Sequence, residues 1–263
     1  MTPPVFWAVL AGVFGLAIGS FLNVVIYRVP REQSVLFPPS RCPHCETRIK
    51  AQHNVPVASW VVLRGRCAYC DEPISARYPL VEATTAVLFA ALTARIGLTL
   101  ALPAYLYLAA ISITLVMIAA DEMRLPDSLV LPSYALAVLM LMPAGAGVGE
   151  WAPAVRALSG LVALSALYFA LTLAYPGILS LADVKLAGLL GLYLGWMSWA
   201  ALVVGAVAGL LIGALSGTIR RLVHQYGREA RLAIGRHMII ATGLALFLVV
   251  PVTHLCASVV ALA

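Results

Sequence analysis

Of the 263 residues, 62% are hydrophobic and only 11% are charged, against roughly 25% charged residues in an ordinary soluble domain. An apolar excess of this size needs a lipid-facing surface, which excludes a soluble globular chain and points to a polytopic membrane protein in contact with the bilayer. The net charge of +6 is better read as loop cations obeying bilayer topology than as a nucleic-acid surface, so no nucleic-acid partner is expected.

The first apolar stretch runs from near Phe6 to about Tyr27. Arg28 and Arg31 follow it rather than precede it, so it reads as a retained span and not as a cleaved signal peptide. Apolar runs between breakers then predict eight helices, at 5–27, 79–97, 101–120, 128–144, 153–175, 183–195, 198–218 and 237–261. Each approaches the roughly 20 residues that one crossing needs, except the short sixth, whose break from the seventh is the weakest boundary. The expected fold is thus an all-α polytopic membrane protein with about eight transmembrane helices and one small soluble loop. Its parts are a first helix at 1–28, a cysteine-bearing loop at 29–78 and a seven-helix membrane domain at 79–263. No internal repeat stands out.

Cations set the orientation. Fifteen of the seventeen Lys and Arg fall in alternate loops: eight from Arg28 to Arg77, five from Arg220 to Arg236, and Arg124 and Lys185. Only Arg95 and Arg156 remain for the opposite side. The positive-inside rule then places the loop from Arg28 to Arg77 in the cytoplasm, with both termini outside.

That loop carries Cys42-Pro43-His44-Cys45 and Cys67-Ala68-Tyr69-Cys70, two CxxC pairs separated by 21 residues. Each CxxC turn aims two thiolates at one ion, and the two pairs together complete a tetrahedral structural zinc site at Cys42, Cys45, Cys67 and Cys70. The alternative is a redox dithiol or free cysteines, but a reducing compartment disfavours paired disulfides and a small loop needs a staple. His44 is expected beside the site rather than on the metal, and Cys256 is expected to be an apolar packing residue in the last span.

Around this loop the strings Gly19-Ser20-Phe21-Leu22-Asn23, Pro39-Ser40-Arg41-Cys42-Pro43-His44-Cys45, Asn54-Val55-Pro56, Ser59-Trp60, Arg64-Gly65-Arg66-Cys67 and Arg77-Tyr78-Pro79-Leu80-Val81-Glu82 occur in an order and spacing that resembles the type IV prepilin peptidases. Leu125-Pro126-Asp127 and Asp183-Val184-Lys185-Leu186-Ala187-Gly188 resemble the same family. The resemblance implies an intramembrane aspartic endopeptidase of the bacterial cytoplasmic (inner) membrane. Its substrates are type IV prepilins or type II secretion pseudopilins, whose short leader it removes at the cytoplasmic face. It also implies, for many members, N-methylation of the new terminus with S-adenosylmethionine. No glycine-rich nucleotide fingerprint is present, so no residue is assigned to that cofactor. Oligomeric state is not legible.

Hydrolysis without a metal or a nucleophilic Ser or Cys can be done by two carboxylates around one water, one ionised and one protonated. The candidates are Asp183, at the start of the sixth helix, and Asp121, at the end of the third. Ionisable groups near membrane depth are costly to keep, which is why they draw attention. The family pattern is altered at both. Its GxGD glycines are replaced in Ser180-Leu181-Ala182-Asp183, and the position seven before Pro126, where the resemblance implies the first aspartate, is Ala119. Asp121 stands two residues later, about 200° further round a helix of 3.6 residues per turn. The alternative is therefore a pseudopeptidase that binds prepilin, or only methylates it. Asp183 could equally cap its helix, Asp121 pair with Arg124, Asp127 cap the fourth helix, and Glu82 either receive a basic leader or pair with Arg77. Glu46 and Asp71 stand where glycines commonly follow the two CxxC pairs in the family. Ala233-Ile234-Gly235-Arg236 resembles the family's Pro-Phe-Gly-Pro stretch only weakly.

Overall fold

Close backbone approach between the first two long helices is written into their glycines. A Cβ built on Gly15 would lie 2.8 Å from the Ala86 Cα, and one on Gly19 would lie 2.6 Å from the Glu82 Cα. Only glycine fits at either position, and the four-residue spacing makes a small-residue seam of the kind that joins helices in lipid. The computed structural model describes the backbone of residues 4–146, 151–176, 179–223 and 234–260, and side chains within 5–145, 151–176, 179–216 and 235–249. Arg228, Arg231 and the side chain of Cys256 lie outside the described residues.

The helices are α1 (Pro4–Arg28), α2 (Ala58–Val62), α3 (Arg77–Ile96), α4 (Leu102–Glu122), α5 (Asp127–Ala146), α6 (Ala152–Ala174), α7 (Leu181–Met197), α8 (Trp199–Val223) and α9 (Ile234–Val260). Setting aside the five-residue α2, these are the eight long helices expected, and no named strand occurs among the described residues. Six of them, α1, α3, α4, α5, α6 and α8, are long and apolar enough to cross a membrane among the described residues. Two prolines, Pro132 and Pro143, lie inside α5 rather than at its ends.

The chain divides into two compact units, Met1–Ile118 and Ala119–Ala263. In the first, α1 packs on α3, and Asn23 donates to the carbonyl of Tyr78 at 3.2 Å, tying the end of α1 to the start of α3. Arg77 donates to the carbonyl of Met117 on α4 at 3.3 Å.

In the second unit α7 is the central element, in contact with α5, α6, α8 and α9. Its residues from Leu186 to Trp196 are all buried, so helices rather than lipid surround it, as expected of a helix that is apolar on every side. Gly191 faces Gly160 and Gly195 faces the Arg156–Ala157 backbone, with no room for a Cβ at either crossing. Ser198 is extended (φ −170°, ψ 162°) and accepts from the amide of Ala201 at 3.0 Å, ending α7 and capping α8 in one residue. This is the break that apolarity alone defined poorly.

Candidate active site and metal centre

The loop between α1 and α3 folds as two copies of one knuckle, a repeat that the sequence had not disclosed. In the first, Cys42 N–H donates to Thr47 O, Glu46 N–H donates to Cys42 O, and Arg41 bridges to Arg48. In the second, Cys67 N–H donates to Glu72 O, Asp71 N–H donates to Cys67 O, and Arg66 bridges to Pro73. The residue after each CxxC turns left-handed: φ is +55° at Glu46 and +59° at Asp71. The glycines implied by the family resemblance thus fall where the backbone favours them, and here Glu and Asp bear the strain instead.

The two knuckles bring all four sulfurs together, within 4.8 Å of one another, with Cys42 Sγ and Cys70 Sγ 3.8 Å apart. A tetrahedral zinc with bonds of about 2.3 Å sets its sulfurs about 3.8 Å apart, so the donor set fits that metal. Without a cation the thiols of Cys45 and Cys70 differ in acidity. Hydrogen bonds from Thr47 hold Cys45 down to about 6, whereas Cys70, although favoured by the Glu72 amide, is pushed up to about 12 by desolvation and the neighbouring sulfurs. Such a cluster favours a cation that lets every sulfur lose its proton. His44 is exposed and stands 3.8 Å from Glu72 across the knuckles.

The rest of the loop is tied to this centre and to α3. Trp60 Nε1 donates to Ile74 O at 3.0 Å, and its ring closes on Gly65 (φ +70°), where a Cβ would come within 2.9 Å of it. Glu82 accepts from the amide of Val57 at 2.7 Å and is further held by Ser20. The hydrogen bonds of Glu82 thus go to the loop backbone and α1, where the expectation was either a basic leader or a pairing with Arg77.

The acids are treated differently. Asp183 is buried, with 7% of its surface exposed. Ser180, not Asp183, is the N-cap of α7, and the two form a reciprocal capping box. Asp183 Oδ2 accepts from Ser180 N–H at 2.9 Å and from Ser180 Oγ–H at 2.7 Å. Its Oδ1 accepts from the amide of Gly235 at 3.1 Å, in the first turn of α9. The carboxylate therefore sits at the N-termini of two helices at once, where unsatisfied amides and the helix dipoles complement a negative group. A Cβ on Gly235 would lie 2.9 Å from Leu125 Cδ1 and 3.3 Å from Asp183 Oδ1, so glycine lets α9 approach both. This role for Gly235 was missed; its one signal was the faint resemblance of residues 233–236.

Around that point, Lys185 pairs with Asp127 at 2.7 Å, and Tyr134 donates to the carbonyl of Lys185. Asp127 opens α5 and is committed to this ion pair. Asp121 lies in the last turn of α4 and is exposed, while Ala119 is buried with 4% exposure. Of the two candidate acids, Asp183 is buried and Asp121 is exposed.

The bacterial peptidase A24 N-terminal domain model matches residues 13–96, which take in most of α1, the knuckles and α3. A prepilin leader peptidase/N-methyltransferase of Aeromonas hydrophila is 36% identical over 90% of this chain and 89% of its own length. Enzymes of the same description from Neisseria gonorrhoeae and Stutzerimonas stutzeri are 35% and 33% identical, over 81% and 92% of this chain and 82% and 91% of their own lengths. The chain belongs to the prepilin leader peptidase/N-methyltransferase family. No solved structure matches it. Family membership and the six apolar helices make it a multi-pass membrane protein of a family of prepilin-processing enzymes. Within that family pattern, the four cysteines are present and gathered, whereas the acid implied at position 119 is an alanine on a buried face.

Proposed function

We propose that this chain is an aspartic endopeptidase of the bacterial cytoplasmic membrane that removes the leader of prepilins or pseudopilins at the cytoplasmic face. The observation that carries it is the buried Asp183 carboxylate, held by Ser180 and by the Gly235 amide at the joined ends of α7 and α9. Asp183 is the fixed base, taking a proton from the attacking water. Asp121 is the second carboxyl, acting as the acid towards the scissile carbonyl. Leu125, four residues beyond Asp121, packs beside Gly235, which supports bringing the end of α4 towards Asp183.

Cys42, Cys45, Cys67 and Cys70 hold a structural zinc, which supplies cross-linking to the loop and takes no part in the hydrolysis. The loop faces the cytoplasm, on the side where fifteen of the seventeen cations were placed. Where the family's second reaction operates, S-adenosylmethionine supplies the methyl group for the new terminus; we assign no residue to it.

The burial of Ala119 and the exposure of Asp121 favour one second reading, a pseudopeptidase that binds or methylates prepilin without cutting it. Purified protein in lipid, incubated with a prepilin, separates the two. On the leading reading the wild type releases leader, and Asp183→Asn and Asp121→Asn each abolish release. Absence of release by the wild type, with release gained by Ala119→Asp, would establish the second.

A further inference from the structure

Between the end of α1 and the first knuckle, Leu36 and Phe37 are 74% and 75% exposed, an adjacent apolar pair on the extramembrane segment. The turn that carries them is built rather than loose. Ser34 Oγ accepts from the amides of Leu36 and Phe37, both at 3.3 Å. Arg28 closes the other side, donating to Ser34 O at 2.9 Å and to Pro38 O at 2.6 Å. Both tip amides and both flanking carbonyls are thus satisfied from within the chain. Each backbone group satisfied in this way lowers the cost of bringing the turn into a layer poor in water.

Position makes that layer the membrane surface. The 25 residues of α1 span about 37 Å at 1.5 Å per residue, against a hydrocarbon core of about 30 Å. Arg28 is the last residue of α1 and therefore lies at headgroup level, and the turn is one arginine side chain away. The same level carries half-exposed Tyr27, with the Arg31 guanidinium 4.2 Å from its ring centre and donating to its carbonyl at 2.7 Å. An interfacial aromatic with adjoining cations complements anionic headgroups; Glu32 is the one acid in this stretch.

We propose that Leu36 and Phe37 are an interfacial anchor, seated by the Arg28 clamp at the headgroup–acyl boundary of an anionic bilayer, which pins the four-cysteine loop to the membrane surface. The partner is lipid, because the tip follows directly on the end of a membrane-spanning helix whose side chains Phe14, Phe21 and Tyr27 are already exposed. This does not depend on whether the chain cuts.

The test is Phe37→Trp and Leu36→Trp in the full chain, reconstituted in phosphatidylglycerol-containing nanodiscs with and without brominated acyl chains. The wild type, with its five tryptophans, is subtracted as background. The added tryptophan is expected to be quenched about two-fold by brominated lipid and to be shielded from aqueous acrylamide, as an interfacial side chain is. Free quenching by acrylamide with none by lipid would overturn the proposal. So would shielding that develops only when a prepilin is added, which would make the tip a protein-docking site. In parallel, the Leu36→Ser/Phe37→Ser double variant is expected to be cut by trypsin between Arg31 and Lys50 about ten-fold faster in bilayer, with no change in detergent. Equal acceleration in both would mean that the pair serves only the fold of the loop.

Discussion

The metal centre and the acid site face the same problem, gathering like-charged groups at one point, and they solve it over very different chain lengths. Cysteines come together through two turns, each complete within eight residues and each closed by its own backbone bonds. One copy of the knuckle explains the other. The acids have no such local device. Asp183 is positioned by α7, by its own cap and by the start of α9, 52 residues further on, while Asp121 depends on where α4 ends. A locally built site survives changes elsewhere in the chain, whereas an assembled one is exposed to every shift in helix packing.

The largest expected effect separates the two regions outright. Asp183→Asn keeps the shape of the carboxylate but removes its charge, and leader release from a prepilin is expected to fall about 10²–10⁴-fold, the range for loss of a general base. Zinc content, measured by emission spectroscopy, stays at the wild-type value. A parallel loss of zinc would show that the regions are not independent.

The converse change is Cys67→Ser. Removing one of four thiolates is expected to lower bound zinc to below about a tenth of the wild-type value, because apparent zinc binding of roughly 10–16 kcal/mol is shared among the ligands. The loop then becomes protease-sensitive while helical circular dichroism is unchanged. Zinc uptake by the metal-free protein at pH 7 is expected to release protons. Cys70, pushed up to about 12 when unliganded, is protonated there and must lose its proton to bind. Zinc retention therefore weakens as pH falls, and a binding isotherm that is flat between pH 8 and 5.5 would contradict thiolate ligation.

A subtler test lies at the α7 cap. Ser180→Ala removes the hydroxyl that both caps α7 and donates to Asp183 at 2.7 Å. It should cost about 0.5–2 kcal/mol of stability, whereas Ser180→Gly should cost only a few tenths, by thermal unfolding in detergent. If activity falls equally in both while only Ala destabilises, the hydroxyl positions the carboxylate beyond its capping role.

What was readable follows the same division. The eight long helices and the four-cysteine centre rest on local patterns, apolar run length and CxxC spacing, and both appear in the structure. The Ser180–Asp183 capping box was also local, a Ser three residues ahead of an acid, and was passed over because Asp183 itself was weighed as the cap. Gly235 had only the faint resemblance of residues 233–236, since nothing near it in the chain says that its amide meets an acid in another helix. The knuckle repeat was hidden because its equivalent residues differ in type: Thr47 matches Glu72 and Arg48 matches Pro73. They share backbone conformation, which a comparison of side chains does not show.

The smallest expected effect tests that hidden repeat. Glu46 and Asp71 hold equivalent left-handed positions, at φ +55° and +59°, yet they should respond differently to glycine. A non-glycine residue in this region bears about 1–2 kcal/mol of strain, partly offset by the roughly 0.5–1 kcal/mol of extra backbone entropy that glycine loses on folding. Glu46→Gly should therefore stabilise the loop by about 0.5–1 kcal/mol. Asp71→Gly should gain less. Asp tolerates the left-handed region better than Glu, and Asp71 also forms an exposed ion pair with Arg66 at 3.1 Å, a contact worth about 0.2–1 kcal/mol. Zinc release to a competing chelator reads the difference directly: Glu46→Gly should slow it, and Asp71→Gly should leave it nearly unchanged. Equal effects would mean that the knuckles are energetically as well as geometrically alike, and faster release from Glu46→Gly would show that its side chain supports the site in a way that the backbone alone does not.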